Sequence, residues 1–271
     1  MPWRVVHDRE ASRIPFDLIR RDDADAVPAV ATSGFSRQLI LRDLPAASYF
    51  LRPSSAGKIR VLLVVNPTRD LPDGDLPGAE AEATEIRRRL GALGDTIDLV
   101  ELPRPKTPAN RGNVRRELEH ADILHYCGHA FYDGPGPKES GLWLDGKAPA
   151  GSLLTGADLA KLTTLPRMAF VNACEAGRVR GKKNADLIAT AFAEVFLRSG
   201  VEAFLGTYWQ VGDAAAATFA AAVYGKLAEG RSLAEAVRHA RQDLRTRGER
   251  DWANYLLYGG TAFRLAENRP G

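Results

Sequence analysis

The segment Ile59-Arg60-Val61-Leu62-Leu63-Val64-Val65-Asn66-Pro67 decides the architecture. Its β-branched and leucine-rich run reads as a strand covered on both faces, the mark of a parallel sheet held between helices. Asn66-Pro67 stops the strand, and a loop rich in Pro, Gly and Asp runs on to Gly78. A helix is predicted over 79–93, with Glu80, Glu82 and Glu85 towards its start and Arg87, Arg88 and Arg89 towards its end, as the helix dipole favours. Working outward, strands are predicted over 96–102, 122–127, 167–172 and 203–208, and helices over 114–120, 157–162, 186–198 and 214–229. Residues 141–144, turning through Asp145-Gly146, read as half of a small hairpin. Ser232 and Glu235 form a capping box for a further helix, and 261–265 reads as a last short strand. Strands alternating with helices predict a mostly parallel, three-layer α/β sandwich with helices on both faces. Upstream the pattern weakens: Val5-Val6 and 16–19 read as edge strands, 37–41 as another strand, and 52–57 as a linker. The expected organisation is an amino-terminal portion over 1–57 and one domain over 58–271.

Composition narrows the function. The chain has 271 residues, 45% hydrophobic and 26% charged, with a net charge of +3, the profile of a globular protein. That excess is too small to make a nucleic-acid footprint, so no direct nucleic-acid partner is expected. No apolar run approaches the roughly 20 residues of a membrane span, and no secretory leader opens the chain. A cytoplasmic location without membrane attachment is therefore expected. The two cysteines, Cys127 and Cys174, exclude a disulfide framework. Nucleotide signatures fail as well: Gly225-Lys226 lacks its upstream glycine, Ala220 standing there, and Gly134-Pro135-Gly136 would need a glycine where Glu139 sits.

Ligands of open α/β sheets bind at the carboxyl ends of strands. Two such ends carry chemistry: Ile123-Leu124-His125-Tyr126-Cys127-Gly128-His129-Ala130 and Met168-Ala169-Phe170-Val171-Asn172-Ala173-Cys174-Glu175-Ala176-Gly177. If the two strands are neighbours, His129 and Cys174 sit at one sheet edge on adjacent loops. A thiol, an imidazole and nearby backbone N–H donors are what a cysteine protease requires.

These two blocks resemble the histidine and cysteine blocks of the CHAT proteases, the caspase- and separase-related peptidases of bacteria. Further stretches are similar to CHAT blocks: Val64 to Pro67 with Leu76 to Glu80, Gly141 to Leu144, Trp209-Gln210-Val211-Gly212-Asp213, and Trp252 to Tyr255 through Leu257-Tyr258-Gly259. Pro2-Trp3 with His7-Asp8 resembles a block usually found well inside such domains, so missing upstream sequence or a completing partner is expected. The resemblance implies a cysteine endopeptidase in which Cys174 attacks the scissile carbonyl and His129 moves the protons. The N–H groups of Ala130 and Cys174 would hold the oxyanion, and no metal or organic cofactor is implied. It further implies protein or peptide substrates, an activating or regulatory partner, and regulated, defensive cleavage. Ala130 stands where the family usually has glycine, and Ala176 where it often has a small hydroxyl residue.

Other readings stay open. A CHAT fold can serve as an inactive scaffold. His125, Cys127 and His129 alternate along one strand and with Cys174 could bind zinc, although such spacing suits a tetrahedral cage poorly. Alone, His125 reads as a core histidine and Cys127 as a small buried hydrophobe. Asp213 either lines the pocket for the residue before the cut, favouring Arg or Lys there, or caps the helix after it. Arg178, Arg180, Lys182 and Lys183 form a solvated basic loop or steer acidic substrates. Arg238, Arg241 and Arg245 read as ordinary helix surface.

Overall fold

The computed structural model describes residues 2–8, 10–19, 28–40, 57–72, 74–131, 140–146, 153–175 and 188–265, with the backbone alone at 13, 29, 32, 174, 175 and 188–191. In chain order the strands and helices are β1 (Trp3–His7), α1 (Ala29–Thr32), β2 (Phe35–Leu39), β3 (Ile59–Val65), α2 (Pro77–Gly91), β4 (Ile97–Leu102), α3 (Arg111–Leu118), β5 (Ile123–Phe131), β6 (Gly141–Trp143) and β7 (Leu153–Thr155). There follow α4 (Gly156–Leu159), β8 (Met168–Glu175), α5 (Ile188–Arg198), β9 (Ala203–Thr207), α6 (Asp213–Ala228), α7 (Leu233–Thr246) and β10 (Tyr255–Gly259).

The main sheet runs β1-β2-β10-β9-β8-β5-β3-β4. Pairing is parallel except between β10 and β9 and in the small β5-β6-β7 extension. The central strands are near-continuous apolar runs because both faces are covered. On one face Leu63, Val65, Phe170 and Leu205 pack with α2, α6 and α7 through Ile86, Phe219 and Val237. On the other, Leu62, Leu124, Ala169 and Phe204 pack with α3 and α5 through Leu118 and Phe196. The result is the expected three-layer sandwich. Among the described residues no helix is long and apolar enough to cross a membrane.

Three expectations are corrected. Residues 16–19 are not a strand: Phe16–Leu18 is a 3₁₀ turn after Pro15, and it buries Asp17. There Asp17 bonds the Arg37 guanidinium and, at 2.8 Å, Arg241 Nη2. Arg241 is accordingly 0% exposed, not surface, because it lies in phase with Val237, Ala240 and Leu244 on the inner stripe of α7. Residues 261–265 are not a strand either. The carbonyls of Phe263 and Thr261 accept from the N–H groups of Leu233 and Ala234, so the segment satisfies the first turn of α7. The last strand is Tyr255–Gly259 instead, antiparallel to β9. The Ser232–Glu235 capping box forms as expected. The linker at 52–56, the glycines at 134 and 136, Ala176, Gly177 and the basic residues 178–183 lie outside the described residues.

Candidate active site

β5 and β8 are parallel neighbours, and in their register Cys127 pairs with Asn172 and His129 with Cys174. Both site positions lie within paired strands rather than on loops. The strands outrun their expected ends because Ala130 and Phe131 gain partners in Leu142 and Gly141 of β6. Ala130 also stands opposite Glu175 of β8.

The Tyr126-Cys127-Gly128-His129 segment has a local physical logic. The Tyr126 hydroxyl reaches along its own strand to the carbonyl oxygens of His129 and Trp143, each at 2.6 Å. A β-carbon on Gly128 would lie 2.4 Å from that hydroxyl, so glycine is what leaves the path open. Tyr126 packs with the core on the α3 and α5 side, whereas Cys127 packs on the α2 and α6 side. By alternation His129 projects on the same side as Cys127.

The loop after β3 is folded against that site. Asn66 takes a left-handed φ of 43°, its Oδ1 accepts from Leu76 N at 3.0 Å, and its Nδ2 donates to Asp75 Oδ1 at 2.8 Å. The Thr68 hydroxyl donates to the Gly74 carbonyl at 2.7 Å. These bonds hold Gly74 beside the His129 ring. Burial pushes the His129 pKa below its ordinary value, and the Gly74 backbone opposes that shift, as a carbonyl acceptor would. Neither ring nitrogen of His129 completes a hydrogen bond of normal geometry among the described residues, although both are buried. Burial thus favours the neutral imidazole.

Beneath the pair lies a fully buried polar cluster that sequence reading missed. Glu82 Oε1 accepts from Asn172 Nδ2 at 2.9 Å and lies 3.0 Å from His125 Nε2, while His125 Nδ1 meets the Tyr224 hydroxyl at 3.1 Å. Burial first, and the Glu82 carboxylate second, raise the Cys127 thiol well above its ordinary pKa, which makes it a protonated, unreactive donor. The signal for Glu82 was its place in the inner stripe of α2 with Ala79, Ala83, Ile86 and Leu90. An acid in such a stripe needs buried partners.

Glu82, His125 and Cys127 also form the one group of potential metal ligands among the described residues, with donor atoms within 4.8 Å of one another. Those donors already bond one another, and His129 is outside the group. The zinc set of His125, Cys127, His129 and Cys174 does not assemble, because alternate positions from 125 to 129 span about 13 Å of strand. His125 is the bonded core histidine expected of it.

Asp213 is exposed and is the first residue of α6. It is not the helix cap: Gly212 holds that place, without a side-chain bond. Its carboxylate lies against Gly78 in the first turn of α2. The preceding loop is tied down from β10's side, with Asn254 Oδ1 accepting from Tyr208 N and Trp209 N at 2.9 and 2.8 Å.

Comparison with known proteins bears on the family and the fold. The profile of the CHAT domain family matches residues 4–260. No curated protein matches the chain in sequence. A chain of the Saccharomyces cerevisiae separase–securin complex is similar at TM-score 0.56 and 14% identity, over 94% of this chain and 15% of that one. The Arg-specific cysteine proteinase gingipain R gives TM-score 0.58 at 14% identity, over 91% of this chain and 57% of its own. The complex of Porphyromonas gingivalis gingipain pro- and mature domains gives 0.54 at 14% identity, over 84% and 56%. At such identity the likeness carries the fold alone, which is the caspase-like one. The family match runs from within β1 to beyond the end of β10, and the chain therefore belongs to the CHAT domain family, with a caspase-like α/β peptidase fold.

Proposed function

We propose that the chain is a cysteine endopeptidase in which His129 and Cys174 act as a catalytic dyad. The observation that carries this reading is the register pairing of His129 with Cys174 on neighbouring parallel strands. The Cys174 thiol gives its proton to His129 as sulfur attacks the scissile carbonyl. The N–H groups of Ala130 and Cys174 hold the oxyanion, and His129 returns the proton to the leaving amine. Water, deprotonated by His129, then releases the acyl group and restores the thiol. No metal or organic cofactor enters these steps. Asp213 contributes to substrate binding from the first turn of α6, and a basic residue before the cut suits its carboxylate.

The substrates are proteins or peptides, and a regulatory partner governs access to the site. Support comes from the solved relatives, which include a separase–securin complex and a complex of gingipain pro- and mature domains. Residues 58–271 form the peptidase portion and 1–57 an amino-terminal portion. The setting is regulated cleavage in a bacterial cytoplasm, in antiviral defence. A peptidyl acyloxymethyl ketone tests the chemistry. Mass spectrometry should find the adduct on Cys174 in the wild type and none in His129→Ala or Cys174→Ala. An unlabelled wild type, with or without candidate partners, would favour the scaffold reading.

A further inference from the structure

A buried carboxylate is expensive unless donors surround it, and replacing a buried polar network with apolar groups often leaves stability unchanged or improved. Glu82 is 2% exposed, on the inner stripe of α2. Its donors come from the two strands that carry the dyad. His125 of β5 lies four residues before His129, and Asn172 of β8 lies two before Cys174. Cys127 and Asn172 are themselves register partners, one in-phase rung below the His129–Cys174 pair. The carboxylate therefore bridges both strands directly under the site.

The bridge is braced from outside. Tyr224 of α6 holds the far nitrogen of His125, and Asn172 Nδ2 also lies 3.3 Å from the Tyr255 hydroxyl of β10. With Nδ2 facing Glu82, Asn172 Oδ1 is buried with no hydrogen-bond partner among the described residues. The reversed amide would set oxygen against the carboxylate, so Glu82 dictates the Asn172 rotamer despite leaving that acceptor unsatisfied.

We infer that Glu82 is a positioning residue that clamps β5 and β8 at the Cys127–Asn172 rung and so fixes the geometry of His129 relative to Cys174. This rests on the dyad reading above. A displacement of about 1 Å at reacting groups can cost on the order of a hundredfold in rate.

The test is the pH profile of Cys174 alkylation by iodoacetamide, followed by peptide mass spectrometry on the full chain, alongside thermal unfolding. Wild type, His129→Ala, Glu82→Gln and Tyr224→Phe are compared. Glu82→Gln should stay folded, alkylate Cys174 about tenfold or more slowly at pH 7, and move the profile towards that of His129→Ala. A wild-type profile in folded Glu82→Gln, with His129→Ala altered, overturns the positioning role and leaves the dyad standing. A wild-type profile in His129→Ala overturns the dyad and the inference with it. If Glu82→Gln does not fold, Tyr224→Phe decides: a shifted profile supports the clamp, and an unshifted one overturns it.

Discussion

The side chain of Asp213 occupies the space that a β-carbon on Gly78 would need, 2.2 Å from its Cγ. Two helices that begin at the same sheet edge, α2 and α6, thus meet through one glycine and one carboxylate. Gly78→Ala must push the Asp213 side chain aside. If Asp213 reads substrate, Gly78→Ala and Asp213→Asn should shift the cleavage profile in the same direction, away from Arg or Lys before the cut. Because Asp213 is exposed, the preference lost should be about tenfold rather than thousands. Profiling both variants against a peptide library checks this. A changed profile in Asp213→Asn with none in Gly78→Ala would show that the contact does not set the carboxylate's position.

The two cysteines should separate cleanly by reactivity. Cys127 is buried with its thiol held protonated by burial and by Glu82. The native chain should therefore react with a thiol reagent at Cys174 alone, and at both cysteines once denatured. Cys127→Ala should leave proteolysis largely intact while costing about 1–2 kcal/mol of stability. Modification of Cys127 in the native state, read by peptide mapping, would contradict its assigned burial.

Acid should destabilise the fold through its histidines. Burial lowers the pKa of His129, and of His7, below the ordinary 6.5. A depressed folded pKa means that the unfolded chain takes up the proton first as pH falls. The associated stability is complete above the unfolded value and disappears as pH drops through the folded one. Urea midpoints at pH 7 and pH 5 should differ less for His129→Gln than for wild type. An equal drop would assign the acid sensitivity elsewhere. The acid limb of peptidase activity should likewise fall below pH 6.5, since His129 must be neutral to take the thiol proton.

Asp17 compensates two buried guanidinium groups, Arg37 and Arg241. Asp17→Ala strands both and should cost about 3–5 kcal/mol in urea denaturation. A loss under about 1 kcal/mol would show that the cations regain water without the carboxylate.

What the sequence discloses follows from how each signal arises. The runs at 59–65, 123–127 and 168–171 are legible because strands covered on both faces read as near-continuous apolar stretches, interrupted here only by Arg60 and His125. The proposed site is legible because His129 and Cys174 stand near the ends of two apolar runs that pair in register as neighbouring strands. Arg241 and Glu82 escaped because single charges on otherwise apolar helix stripes were read as charges rather than by phase. Tyr255–Gly259 escaped as a strand because its short, aromatic-rich run follows a 3₁₀ turn and lacks alternation. The 261–265 segment misled in the opposite direction, since its apolar residues serve the start of α7 through their carbonyls.

The Asp17–Arg241 bond joins residues 224 positions apart. On a ribosome that distance is time. Asp17 and Arg37 leave the tunnel first and can pair with each other, but Arg241 follows Asp17 by 224 residues. Until then the amino-terminal strands lack one of the cations they will finally share, and β2 lacks β10, its neighbour in the sheet. The strands β1 and β2 thus reach their final surroundings only once β10 has been made, and that end of the sheet stays open until then.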